Sequence, residues 1–189
     1  LLSAALFSLA FFTKQIALIP IICLLPVAKH RGAKPFALFL VALAILCGGG
    51  VLVLSWLTDG WYYYYCFSLP AQHDIRIALY RHFWISDLGL VFPIAFGLAL
   101  YGLVRQARTS RDDRPVLNSC FVTGFLLMSW ISRLHSGGIE NVLAPVYAAL
   151  SILAMIGLAS VASRTFGYTL LSAQFLMLLY PATAPIPSI

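Results

Sequence analysis

Charged residues are scarce in this chain. Only six aspartates and glutamates occur among 189 residues, and charged side chains make up 10%, against about 25% in an ordinary soluble domain. The cysteines form no spacing pattern, since Cys23, Cys47 and Cys120 fall in apolar stretches and only Cys66 in a more polar one. The sequence therefore argues against a soluble domain, a disulfide framework and a metal site.

Long apolar runs take the place of charge. Hydrophobic residues make up 61% of the chain and the mean hydropathy is +0.93. A bilayer core about 30 Å thick requires about 20 mostly apolar residues per spanning helix. We predict an all-α fold, a polytopic transmembrane helical bundle with about five to seven spans in residues 1–180. The predicted spans after the first thirty residues are 36–57, 88–104, 116–131, 142–162 and a shorter one at 165–180.

The segment 1–27 is apolar but is interrupted by Lys14 and Gln15 and punctuated by Pro20 and Pro26. Two helices that meet at residues 12–15 are the favoured interpretation. One long helix with a buried lysine is the alternative, and the cost of a charge in the middle of a bilayer disfavours it.

Both ends of the sequence suggest a fragment of a longer protein. The first residues are apolar, with no initial methionine and no charged segment of the kind that begins a signal peptide. The last residues, 181–189, are rich in proline and are predicted to begin an extended extracytoplasmic linker.

The distribution of cations predicts an orientation, because lysine and arginine accumulate in short cytoplasmic loops. With this helix count, the whole net charge of +6 falls on the cytoplasmic side, and the other side is balanced. The basic character thus follows from topology, and we expect no nucleic-acid partner. The cations assigned to the cytoplasmic side are Lys29, Arg31, Lys34, Arg105, Arg108, Arg111, Arg114 and Arg164.

An extracytoplasmic loop of about thirty residues is predicted at 58–87, long enough to suggest a function. Its aromatic run 61–65 is a candidate for stacking on a sugar, although an interfacial aromatic belt is favoured. His73 and Asp74 are a candidate acid/base element, although a solvated turn is favoured. Residues 75–84 predict an amphipathic surface helix, in which Arg81 and His82 either meet a lipid phosphate or act as an interfacial anchor.

The polar decapeptide 132–141 separates two strongly apolar stretches and carries more chemistry than a turn requires. In the predicted topology it lies at the same outer boundary as Lys14. A phosphate headgroup at this depth would be held by cationic side chains. The candidate contacts with the phosphate are Lys14, Arg133 and His135, and those with a sugar or for ordering the loop are Glu140, Asn141, Gly137 and Gly138.

A structural interpretation of the decapeptide stays open beside the functional one. In it, Arg133 extends toward water, His135 caps a helix, the two glycines turn the chain and Asn141 caps the next helix. For the glycines and Asn141 this interpretation is favoured. For Arg133 and His135, taken with Lys14, function is favoured because ionisable groups at a membrane boundary are functional candidates.

The stretch 132–150, SRLHSGGIENVLAPVYAAL, resembles bacterial multispanning glycosyltransferases of the GT-C type, near the protein mannosyltransferase and lipid A aminoarabinose transferase branch. Residues 11–15, FFTKQ, look like a second motif of this group, and 67–73 and 174–187 are weaker matches. The resemblance implies transfer of a sugar from a polyprenyl-phosphate donor to an acceptor outside the bacterial cytoplasmic (inner) membrane. It also implies that the catalytic acidic residue lies upstream of residue 1.

The resemblance assigns neither the sugar nor the acceptor, which could be a glycan, a lipid or a protein. No cofactor is indicated by the residues themselves, and a divalent cation in the full-length enzyme stays open. The expected partners are the lipid-linked sugar and the bilayer. The main alternative is a non-catalytic transporter or lipid-binding protein for an anionic substrate. A structural subunit would leave the decapeptide unexplained, and a membrane protease lacks its motif.

Overall fold

The computed structural model describes residues 1–30, 32–136, 138 and 140–183, and helices dominate this part of the chain. The predicted all-α class is confirmed there, since its β-type pairing is one isolated bridge between Ile75 and His135. The helices are α1 (Leu2–Thr13), α2 (Leu18–Cys23), α3 (Leu25–His30), α4 (Ala33–Leu57), α5 (61–71), α6 (Ala78–Leu90), α7 (Pro93–Thr109), α8 (Arg114–Leu134), α9 (Ala144–Ala159) and α10 (Arg164–Thr183).

Three helical segments of the described chain are long and apolar enough to cross a membrane: α4, α8 and Asn141–Ala159, which contains α9. A fourth results if α6 and α7, which are bent by 88°, count as one span. These findings fit a membrane protein, but the predicted five to seven spans are too many for the described residues. Helix α1 has only 12 residues, too few for a bilayer. Helix α10 covers the predicted span 165–180 but contains recurrent polar residues and is not among the candidates.

The predicted break near Lys14 is present. Helix α1 ends at Thr13, Lys14 adopts an extended backbone conformation, and a 3-10 turn at Gln15–Ala17 leads into α2. The break places a lysine at the end of a helix rather than inside one, which avoids burying its charge in apolar surroundings.

A second break separates α6 from α7 and interrupts the predicted span 88–104. Pro93 begins α7, and the buried side chain of Gln174 on α10 completes the hydrogen bonds that the break leaves open. Its Oε1 accepts hydrogen bonds from the N–H groups of Ile94, at 3.1 Å, and Ala95, at 3.0 Å, and its Nε2 donates to the Val91 carbonyl at 2.7 Å. In apolar surroundings such backbone groups require partners inside the protein.

Helices α7 and α9 cross closely at Gly102 and Gly157. A Cβ added at Gly102 would lie 2.8 Å from the Gly157 nitrogen, and one added at Gly157 would lie 2.7 Å from the Leu98 carbonyl carbon. Small residues permit this approach of two backbones. The main buried cluster lies beside the crossing and consists of Phe83, Leu88, Ala99, Leu143, Val146, Leu150 and Leu153.

The chain reversals gather at two ends of the bundle. At the decapeptide end, defined by Lys14 and residues 58–87, 132–136, 138 and 140–143, the Arg76 N–H donates to the Leu134 carbonyl at 2.9 Å. At the arginine end, defined by residues 29, 30, 32–34, 105–114 and 160–164, Arg105 donates to the Ser160 carbonyl at 2.7 Å. The connection between α3 and α4 lies beside the start of α8, since Ala28, Pro35 and Leu117 line one pocket. The described cations that the sequence assigns to one side thus share one end. Helix α10 continues to Thr183, and the rest of the predicted linker 181–189 lies outside the described residues.

Candidate functional site: a basic pocket at the decapeptide end

A pocket of about 330 Å³ opens at the decapeptide end, where three distant parts of the sequence meet. Two histidines, a lysine and a cysteine share it with apolar side chains and with backbone. The residues that line it are Lys14, Gln15, Ile16, Cys66, Pro70, His73, Ser132, His135, Gly138 and Val142. Among the described pocket residues, Lys14 carries a positive charge, which would attract an anion.

Lys14 reaches the pocket because the chain breaks at this residue. Its φ of −158° and ψ of 116° are extended, and its N–H still donates to the Ala10 carbonyl at the end of α1. The residue is exposed. A lysine on a helix end beside a pocket presents a flexible point charge, which can interact with an anionic group.

His135 and His73 are brought together by a short pairing between the decapeptide and the loop 58–87. Ile75 and His135 form an antiparallel bridge, and the Ser136 N–H donates to the Asp74 carbonyl at 3.0 Å. Close by, the Ser136 Oγ lies 3.5 Å from Nδ1 of His73. Residues 62 positions apart in sequence thus share one wall of the pocket.

Arg133, the third residue predicted to bind a phosphate, is not among the pocket residues. Its Nε lies 2.9 Å from Oδ2 of Asp87, and its NH1 donates to the Gly138 carbonyl at 2.7 Å. Both charged side chains are largely withdrawn from solvent, with 14% of Arg133 and 9% of Asp87 exposed. The alternative in which Arg133 extends toward water does not describe this arrangement.

The remaining predicted residues occupy varied positions. Asp74, Arg81 and Asn141 are exposed, and none of them lines the pocket. His82 is directed at the ion pair, with its Nε2 3.5 Å from Oδ1 of Asp87. Asn141 does not occupy the N-cap of α9, because Leu143 takes that position.

Two further members of the predicted sugar-contacting set fall outside this description. Gly137 and the side chain of Glu140 lie outside the described residues. Gly138 is described, and it lines the pocket.

Helix α5 contributes Cys66 and Pro70 to the pocket. Burial raises the pKa of the Tyr62 phenol, and a smaller effect of the Gln15 amide lowers it. Cys66, one turn further along, lines the pocket with a free thiol. Within the described residues, no group of three or more histidine, cysteine, aspartate or glutamate side chains could hold a metal ion.

Asp87 is the residue that sequence reasoning missed. In the sequence, Asp87 is only one of the four acidic residues that balance the cations of the outer side. A signal was present, since an aspartate beside the apolar start of a predicted span is expensive unless it has a cationic partner. The partner itself lies 46 positions away, and nothing in the sequence singles out Arg133 for it.

Comparisons with known proteins add nothing to this geometry. No family model, no curated protein and no solved structure matches the chain. The functional argument therefore depends on the pocket and on its surroundings.

Proposed function

We propose that this chain belongs to a membrane glycosyltransferase that takes a sugar from a polyprenyl-phosphate carrier, and that the basic pocket binds the donor headgroup. The observation that carries the proposal is the convergence of Lys14, His73 and His135 in one pocket at the end of apolar helices. A polyprenyl phosphate needs a cation and hydrogen-bond donors for its head and apolar surface for its tail. This pocket offers both kinds of contact.

The proposed chemistry breaks the bond between the sugar carbon and the phosphate oxygen and forms a bond from that carbon to an acceptor oxygen, whose proton leaves. Lys14 stabilises the charge of the departing phosphate, and His73 and His135 offer hydrogen bonds to it. The described pocket residues include no carboxylate that could take the acceptor's proton. We propose that this base is supplied by another part of the full-length protein.

The proposed orientation has the pocket on the outer side of a bacterial inner membrane. The distribution of charge supports it, because lysines and arginines gather at the opposite end of the bundle. The proposed donor class follows from the chemistry of a phosphate headgroup, and the proposed acceptor is a glycan, a lipid or a protein.

The first test is the substitution Lys14→Gln in the intact protein, reconstituted in lipid nanodiscs. Removing one charge-assisted contact should weaken binding of a polyprenyl phosphate about tenfold, which corresponds to about 1.4 kcal/mol. Binding would be measured by displacement of a fluorescent polyprenyl phosphate, with the uncharged polyprenol as the ligand that lacks a phosphate.

Lys29→Gln is the matched control, because it removes the same charge from an exposed residue at the arginine end. It should leave the affinity unchanged. Equal affinities of wild type and Lys14→Gln for the polyprenyl phosphate would contradict the assignment of the pocket.

A transporter or lipid-binding protein for an anionic substrate is the second candidate. The observation that favours it is the presence of two broken helices, at Lys14 and at the 88° bend between α6 and α7. Discontinuous helices often form the substrate sites of transporters. Release of polyprenyl phosphate from a sugar-loaded donor by the intact protein would support transfer, whereas movement of the intact donor across the bilayer would support transport.

A further inference from the structure

The ion pair between Asp87 and Arg133 is connected to the pocket through a single backbone group. Arg133 uses its Nε for Asp87 and its NH1 for the Gly138 carbonyl, at 2.7 Å. Gly138 in turn lines the pocket. Through these contacts α6, which carries Asp87, is linked to the wall of the pocket.

Packing around the pair holds both partners in place. On the side of α6, Tyr80 and Trp84 pack against Trp130, with ring centroids 5.1 Å and 5.8 Å apart. Trp130 lies one turn before Arg133 on α8. The Tyr147 hydroxyl on α9 donates to the Asp87 backbone carbonyl at 2.8 Å. Contacts from α8 and α9 therefore hold the Asp87 residue on α6, one at its carboxylate and one at its backbone carbonyl, and a residue held in this way has little freedom to rearrange.

Gly138 leaves no room for a side chain. A Cβ added there would lie 3.0 Å from the Arg133 Cα and would collide with the Ser132 carbonyl oxygen. The chain after α8 therefore folds back against the end of that helix, and the Arg133 guanidinium keeps it there. An ordinary turn could relax outward, but this one is held by a charge-assisted hydrogen bond.

We infer that Asp87 and Arg133 are positioning residues, which hold the Gly138 wall of the basic pocket, and that Arg133 does not contact the bound phosphate. The claim about the wall stands on geometry alone, and the claim about binding rests on the proposed function. Arg133 is thus assigned a different task from the one that its sequence context predicts.

The sign of one substitution separates the two roles. Asp87→Asn removes a negative charge near the pocket and releases the guanidinium of Arg133. If Arg133 can reach the phosphate, the variant should bind an anionic ligand more tightly. If Arg133 holds the wall, the variant should bind about tenfold more weakly, and Asp87→Asn combined with Arg133→Gln should be no weaker than either single variant.

Asp59→Asn is the control for charge, because Asp59 is exposed and lies in the loop 58–87 at the same end of the bundle. Asparagine also tolerates the positive φ of 49° at this position. The control should bind the polyprenyl phosphate as tightly as wild type or slightly more tightly. Tighter binding by Asp87→Asn than by this control would overturn the inference.

The native thiol of Cys66 reports on the wall without any ligand. It lines the pocket together with Gly138, and its alkylation by a water-soluble maleimide can be read at its own peptide by mass spectrometry. Both Asp87→Asn and Gly138→Ala should raise the labelling rate at least about tenfold, because each frees the wall to open. Lys14→Gln, which removes a pocket charge and leaves the wall in place, should raise it much less.

The outcomes distinguish the inference from the function on which it partly rests. Faster labelling of Cys66 in Asp87→Asn and Gly138→Ala than in wild type, together with a wild type that binds no polyprenyl phosphate, would refute the proposed function and keep the inference about the wall. Unchanged labelling in Asp87→Asn and in Gly138→Ala, with thermal unfolding like that of wild type, would refute the wall even if the lipid binds. Conservative Asp87→Glu should restore part of the slow labelling, since the carboxylate can still reach the guanidinium.

Discussion

A single methyl group at Gly157 should force apart the two helices at the centre of the bundle. The new Cβ would lie 2.7 Å from the carbonyl carbon of Leu98 on α7, and closer still to its oxygen. Ordinary contacts of this kind begin at about 3.4 Å. The obstacle is backbone rather than a flexible side chain, so α7 and α9 must separate by roughly 1 Å.

The magnitude follows from two opposing effects. Alanine is more favourable than glycine inside a helix by about 1 kcal/mol. Overpacking typically costs about 1–3 kcal/mol and more against rigid backbone, and the separation also loosens the buried contacts of Leu150 and Leu153 with α7. We therefore expect Gly157→Ala to lower the free energy of unfolding by about 2 kcal/mol net.

Unfolding in mixed micelles, titrated with SDS and followed by tryptophan fluorescence, measures this difference. The matched control is Gly97→Ala on α7, since a Cβ there would meet no atom within 4 Å. The control should be as stable as wild type or up to about 1 kcal/mol more stable. If both variants unfold at the same SDS fraction, the two backbones do not approach as closely as described.

Two further predictions concern buried hydrogen bonds, and the same SDS titration measures both. Gln174→Leu removes the acceptor of two backbone N–H groups at the start of α7 and should lower the free energy of unfolding by about 2 kcal/mol. Its control, Ser172→Ala at an exposed position on the same helix, should lower it by under about 0.5 kcal/mol. Ser129→Ala removes the buried Oγ that accepts a hydrogen bond from the Val146 N–H at 3.2 Å and should lower the free energy of unfolding by about 1–3 kcal/mol. Its control, Ser151→Ala at an exposed position on α9, should be neutral. A Gln174 or Ser129 variant no less stable than its control would contradict the corresponding hydrogen bond.

Local features of the fold were predictable. The break at Lys14 follows from the cost of one charge in an apolar run, and it requires no knowledge of the rest of the chain. The segments α4, α8 and α9 follow from long apolar runs, so their existence and approximate bounds agree with the structure. The sequence also predicts Lys14 and His135 at the same membrane boundary, and in the structure both line one pocket.

Pairings between distant residues were not predictable. Asp87 and Arg133 are 46 positions apart, and the 88° bend that separates α6 from α7 sets their relative placement. Hydropathy reports how apolar a segment is, but not where it bends or which neighbour it faces. The number of spans is overestimated because α1 has only 12 residues and because polar residues of α10, among them the buried Gln174, leave that helix outside the candidate spans of the described chain.

The hydrogen bonds of Gln174 to the start of α7 have a consequence for biosynthesis. The ribosome synthesises Ile94 and Ala95 some 80 residues before it synthesises Gln174, whose side-chain oxygen accepts the hydrogen bonds of their N–H groups. Until α10 is synthesised, the N–H groups at the start of α7 lack this acceptor, and apolar surroundings supply few other hydrogen-bond partners. The bend between α6 and α7 therefore reaches its final form late, and assembly of the bundle should proceed from the crossing of α7 and α9 outward, with α10 closing it last.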